Sequence, residues 1–169
     1  MLVESYKIKG WKNQPCGLFV DENEDWILIR NIEVDYMLDG YMLINKNHLE
    51  KRTTKGEEKR IKKVLKLKNE KAIAPSGFKF KSTLGMMLWS EKVNGLIEFN
   101  DKEEGQTFYC YLNRYSKKSF IIDLVDVDGN LDEDFPYEFQ FKKVRTMGFS
   151  SDYFNSIVLL LEDKLTKAK

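Results

Sequence analysis

One short pattern occurs twice in this chain, and it limits the folds open to the chain more than any other feature. Asp39-Gly40-Tyr41-Met42-Leu43-Ile44 leads into Asn45-Lys46-Asn47-His48-Leu49, and Asp134-Phe135-Pro136-Tyr137-Glu138-Phe139 leads into Gln140-Phe141-Lys142-Lys143-Val144. Each copy reads as a turn, a Tyr, an apolar strand and a Lys-bearing edge. Each follows a long apolar strand and precedes a run with helical spacing. Tyr41 and Tyr137 stand 96 positions apart, as do Ile61 and Ile157, and Leu65 and Leu161. Leu49 and Val144 stand 95 apart, a slip of one. The front halves drift further, with Gly17 and Gly95 only 78 apart, so the second copy is expected to carry longer hairpins. A fixed period of this kind implies one small unit used twice.

The local patterns say what the unit is made of. Trp26-Ile27-Leu28-Ile29 is apolar on both faces, which requires cover on both sides, as in a small closed barrel. Asp39-Gly40 is a hairpin signal, because Gly adopts positive φ without strain. Thr107 to Leu112 and Phe120 to Val127 read as further strands, the first with Tyr109 and Tyr111 on the face opposite Phe108, Cys110 and Leu112. Ile61, Val64 and Leu65 fall at helical spacing among lysines. From Lys55 to Lys71 there are eight Lys or Arg against three Glu, the most basic helix in the chain. Ser82 or Thr83 caps a middle helix bearing Leu84, Met87, Leu88 and Glu91. Ser150 or Ser151 caps a last helix bearing Tyr153, Ile157, Leu160 and Leu161. Pro75-Ser76-Gly77 marks a boundary. The expectation is a mainly β protein with helices (α+β): a first unit over residues 1–74, a linker and connecting helix over 75–92, and a second unit with a C-terminal helix over 93–169.

Short strands, tight turns and a closing helix resemble the small Sm-like and SH3-like barrels. More narrowly, Asp39-Gly40-Tyr41 with Asn45-Lys46, and Tyr137 with Lys142-Lys143, resemble an uncharacterised group of small bacterial proteins built from such units, here in tandem. The resemblance brings no activity with it. The chain lacks the Asp and Asn pair and the Arg-Gly pair with which Sm proteins hold bases, so Sm-type uridine binding is not implied.

Composition excludes several functions. A net charge of +1 demands no polyanion partner. The charge divides by unit, +3 over residues 1–74 and −2 over 75–169, so the units are expected to attract one another. No apolar run is long enough for a membrane span, and the N-terminus lacks the layout of a signal peptide, so the expected compartment is the cytoplasm. Cys16 and Cys110 form neither a zinc spacing nor a disulfide framework. His48, the single histidine, has no nucleophile-elbow motif to serve. Asp123 and the stretch Asp126-Val127-Asp128-Gly129-Asn130-Leu131-Asp132-Glu133-Asp134 alternate carboxylates as a calcium loop does, but the Gly is misplaced and the closing Glu absent; a hairpin turn accounts for them. No catalytic, cofactor or metal-binding residue is therefore assigned. The expected function is a non-catalytic interaction or regulatory module that binds a protein partner. The alternative is nucleic acid, RNA in particular, held by Lys59, Lys62, Lys63 and Lys66 on the basic helix or by the aromatic and basic face of Tyr109, Tyr111, Arg114, Lys117 and Lys118. An enzyme with an acidic site stands behind both.

Overall fold

Strands dominate the computed structural model, which describes residues 1–167, and three helices accompany them among those residues. The chain divides into two compact units, Met1–Phe78 and Lys79–Lys169. The helix expected to connect the units falls inside the second.

In the first unit, strands β1 (Val3–Ile8), β2 (Cys16–Glu22), β3 (Trp26–Val34), β4 (Met37–Asn45) and β5 (Leu49–Thr53) are followed by helix α1 (Glu57–Leu67). They pair antiparallel in the order β4-β3-β2-β1-β5. A 3₁₀ turn, Lys46–His48, separates β4 from β5 and is capped by the Asn45 side chain, which accepts from the Asn47 amide. As expected, Trp26, Ile27, Leu28 and Ile29 are all buried. One face of the sheet builds a core from Tyr6, Ile8, Trp11, Ile27, Ile29 and Ile44. The other gathers Val3, Leu18 and Ile32 under Ile61 and Leu65 of α1.

In the second unit, α2 (Thr83–Asn94) precedes β6 (Ile97–Asn100), β7 (Phe108–Tyr115), β8 (Ser119–Val125), β9 (Leu131–Asp132), β10 (Glu138–Gln140) and β11 (Thr146–Phe149), and α3 (Asp152–Lys167) closes it. The strand order is β10-β8-β7-β6-β11, with β9 as a side ladder on β8. A 3₁₀ turn, Phe141–Lys143, again precedes the last strand. Both units therefore read fourth, third, second, first, fifth strand, then a helix. The equivalent helix positions keep the 96-residue period: Glu58, Ile61 and Leu65 are the buried residues of α1, and Phe154, Ile157 and Leu161 those of α3.

Four expectations are corrected. Asp39-Gly40 is not the hairpin turn; the turn is at Asp35-Tyr36, with Asp35 at φ 48, and β4 runs through Gly40. Gly40, at φ 64, makes a bulge instead, where the pairing jumps from Arg30↔Tyr41 to Ile32↔Leu38. Gly17 and Gly95 are not equivalent, because Gly17 lies in β2 while Gly95 ends α2 in the left-handed conformation. The repeat instead matches β1 to β6, so the offset of 78 relates a β2 residue to the C-cap of α2. In the last helix the cap is Ser151, one of the two expected, accepting from the Phe154 amide, but Phe154 and not Tyr153 takes the core position. Last, neither path closes on itself: among the described residues no pairing joins β4 to β5 or β10 to β11.

The acidic stretch docks on α3 through Gly129. Its φ is 75, and a Cβ there would stand 2.7 Å from the Leu161 amide nitrogen and 2.8 Å from the Leu160 carbonyl carbon. Backbone cannot yield as a side-chain tip can. Gly129→Ala should therefore cost about 3 kcal/mol, combining left-handed strain with overpacking. Urea denaturation of the variant checks this, and a loss under about 1 kcal/mol would show that the loop can lift from the helix.

Candidate functional site

A graded series of aromatic rings organises the second unit. Phe99, fully buried on β6, stacks on Phe108 at 5.1 Å and meets Phe120 and Phe139 edge-on at 5.3 and 5.1 Å. Phe139 lies 4.9 Å from Phe108. Phe135 stands 6.3 Å from Phe108 and 6.4 Å from Phe139, and Tyr137 stands 5.1 Å from Phe135. Strand alternation explains the series: the β7 and β10 residues point inward, while the segment before β10 leaves the sheet and carries its rings outward. Tyr137 is 63% exposed and Val127 is 59% exposed.

These rings floor a groove of about 640 Å³ between the β6–β7 loop and the segment after β8. Phe108, Phe135, Tyr137 and Phe139 line it, with Val125 and Val127 beside them. Its rim carries Asp101, Glu103, Asp126 and Lys102. Of the expected contact residues only Tyr109 reaches the groove. The remaining lining residues were not read as one site, because their approach depends on how two long loops fold, although Phe135-Pro136-Tyr137 before a strand was a legible sign of exposed aromatics.

The other expected residues divide into separate places. On α1, Lys59, Lys63 and Lys66 are exposed and Lys62 is half-buried. At helical spacing the four share an arc of about 100°, opposite Ile61 and Leu65. Tyr109 and Tyr111 do not form an open stacking face with Arg114, Lys117 and Lys118. Both tyrosines pack on the cluster of Phe154, Ile157 and Leu161, and Tyr109 lies 5.9 Å from Tyr153. Burial, with Glu91 and Glu162 nearby, pushes the Tyr111 hydroxyl above its ordinary pKa. Lys117 and Lys118 instead join Phe141 and Lys142 around a hollow of about 530 Å³ beside the 3₁₀ turn. Arg114 lines a smaller neighbouring hollow with Tyr115.

The acidic stretch is a turn by its hydrogen bonds. Asp126 Oδ1 accepts from the Asp128 and Asn130 amides at 2.9 and 2.8 Å, and Oδ2 accepts from Asn130 Nδ2 at 2.8 Å. Those bonds, the Asn130 side chain first, hold the Asp126 carboxyl below its ordinary range. Lys164 of α3 donates to Asn130 Oδ1. Among the described residues no group of three or more His, Cys, Asp or Glu is placed to hold a metal ion. His48 sits in the 3₁₀ turn, its carbonyl accepting from the Lys9 amide. Burial raises the pKa of both thiols, Cys110 far more than Cys16, which leaves them poor nucleophiles.

The first unit holds a polar cluster that sequence reading missed. Glu58 is buried in the first turn of α1; Ser5 Oγ donates to its Oε1 at 2.5 Å, and Oε2 has no hydrogen-bond partner. Glu4, also buried, accepts from Tyr6 and Arg52. No helix among the described residues is long and apolar enough to cross a membrane. No family model, curated protein or solved structure matches the chain.

Proposed function

We propose that this chain is a non-catalytic interaction module that binds a protein partner, and that the aromatic groove of the second unit is where it binds. The observation that carries this is the run of rings from the buried Phe99 to the 63%-exposed Tyr137. Apolar surface left open at the end of a rigid core invites a partner. Aromatic anchors over well-packed neighbours are where binding energy concentrates. A rigid floor with a charged rim suits holding side chains. We further propose that each unit is an SH3- or Sm-like barrel left open; the shared strand order and the 3₁₀ turn before the last strand support this. Two unpaired thiols fit a reducing compartment, and we place the protein in the cytoplasm.

The test is a photo-crosslinker at position 137 in native cells, with nuclease treatment as a control. A discrete protein adduct is expected, and Phe135→Ser should abolish it. An unchanged adduct pattern in Phe135→Ser would overturn the assignment of the groove.

The lysine arc of α1 supports a second reading, nucleic-acid binding. If Lys59, Lys62, Lys63 and Lys66 contact phosphates, log affinity should fall with log salt by about 0.9 per phosphate on duplex DNA. Lys62→Gln, Lys63→Gln and Lys66→Gln together should then flatten the slope by about two to three units. We expect no measurable binding of RNA or DNA at physiological salt, because no base-reading groups accompany the lysines. Binding that the triple variant loses would reverse the order of the two readings.

A further inference from the structure

We infer that the groove accepts an extended segment of a partner protein in which a Lys or Arg stands next to an apolar or aromatic side chain. This rests on reading the groove as the partner site and adds the chemistry of the occupant. The rim sets three acids, Asp101, Glu103 and Asp126, against one cation, Lys102. Further acids continue along the same loop at Asp128, Asp132, Glu133 and Asp134. Asp126 spends both carboxylate oxygens on its own turn. It therefore acts through its charge, kept in place by those bonds. Asp101 and Glu103 stand on the β6–β7 loop and line the same groove. Lys164 of α3 offsets part of the Asp126 charge, but the lining still carries a net negative charge, so a cation entering the groove is attracted, and the exposed face of Tyr137 adds a cation–π surface. A phosphate backbone would meet repulsion on the same rim, which argues against nucleic acid at this place.

The floor calls for a different neighbour. Phe135, Tyr137 and Val127 offer apolar surface that a bare cation would leave wet, so an apolar or aromatic residue beside the cation completes the fit. A volume of about 640 Å³ lies within the ordinary range of ligand sites and takes a few side chains together. The adjoining backbone favours an extended occupant. β10 ends the strand path of the second unit, so among the described residues its outer edge is unpaired. A strand-like segment can add to such an edge while its alternate side chains enter the groove.

The experiment is selection of a displayed library of random linear peptides on the full chain, with recovered peptides measured by fluorescence polarisation. Recovered sequences should place Lys or Arg beside an apolar or aromatic residue. Asp101→Asn with Glu103→Gln keeps shape and hydrogen bonding but removes two charges. It should weaken binding about tenfold at low salt and less at high salt. Phe135→Ser, and Tyr137→Ser as the variant less able to disturb folding, should abolish binding while urea denaturation shows both folded. If the floor variants lose binding and the rim variant does not, the groove stands as the site and the cationic occupant is wrong. If neither set changes binding, both readings fall. Acidic or uncharged recovered peptides, an empty selection, or displacement of the peptide by an RNA oligonucleotide would each overturn the inference.

Discussion

Replacing Arg52 with Ala should lower the stability of the first unit by about 3 kcal/mol, by leaving a buried carboxylate without its counter-charge. Arg52 lies opposite Tyr6 in the β1–β5 ladder. Its Nη2 donates to Glu4 Oε2 at 2.5 Å and its Nε to Glu4 Oε1 at 3.3 Å. Glu4 is only 5% exposed and also accepts from the Tyr6 hydroxyl at 2.8 Å. The second arm of Arg52 reaches Glu22 at 2.8 Å, and its guanidinium sits 5.8 and 5.4 Å from the Tyr6 and Phe19 rings. One side chain thus joins two carboxylates and two rings across three strands. The value sits at the lower end for broken buried pairs because the Arg52 side chain is itself 30% exposed. Arg52→Lys should recover part of the loss, since an ammonium cannot reproduce the fork. The measurement is the urea midpoint at unchanged slope. A loss under about 1 kcal/mol in the Ala variant would mean that water reaches Glu4.

The same network sets a pH dependence. The Glu22 carboxyl is held below its ordinary range, first by the hydrogen bond from Lys46 and then by the charges of Arg52 and Lys46. A depressed carboxylate contributes stability that is present above the ordinary carboxylate pKa and is lost as pH falls through the folded value. Acid should therefore weaken the first unit below that range, and Arg52→Ala should narrow the window by letting the Glu22 pKa rise.

Phe99→Ala should destabilise the second unit by about 4 kcal/mol, the ordinary cost of removing a buried ring from a well-packed site. Phe99 touches Phe108, Phe120 and Phe139 at once, and stiff strands hold all three, so the cavity has little freedom to collapse. Tyr137→Ser, at the other end of the same series, should shift stability by no more than about 0.5 kcal/mol. The pair separates core from site: one variant loses the fold, and the other keeps the fold and loses the partner. Hydrogen exchange checks the first, with β6 and β7 amides expected to lose protection while β2 and β3 keep theirs. Equal loss of protection in both units would show that they unfold as one.

Local patterns determined much of this protein by themselves. The doubly apolar β3 declared that it would be covered on both faces, and Trp26 to Ile29 are buried as that pattern requires. The 96-residue period picked out Ile61 with Ile157 and Leu65 with Leu161, because helix phase is local and each helix must bury one stripe. Ser82, accepting from the Gly85 amide, starts its helix where capping chemistry says it must.

Tertiary structure decided what depends on distant partners. Asp39-Gly40 carries the chemistry of a turn, but positive φ serves a bulge as well as a turn, and only the pairing with β3 selects the bulge. Tyr109 and Tyr111 alternate like an open stacking face, yet α3, arriving some forty residues later, covers it. Arg52, Glu4 and Glu22 are unremarkable charges in the sequence; the β1–β5 ladder makes them a network. The assembly of the groove belongs to this second group. Its acids lie on loops at Asp101–Glu103 and Asp126, and its rings come from two strands and the segment before β10. No periodicity relates such segments, because loop closure answers to the sheet that holds the loop ends and not to neighbours in the chain.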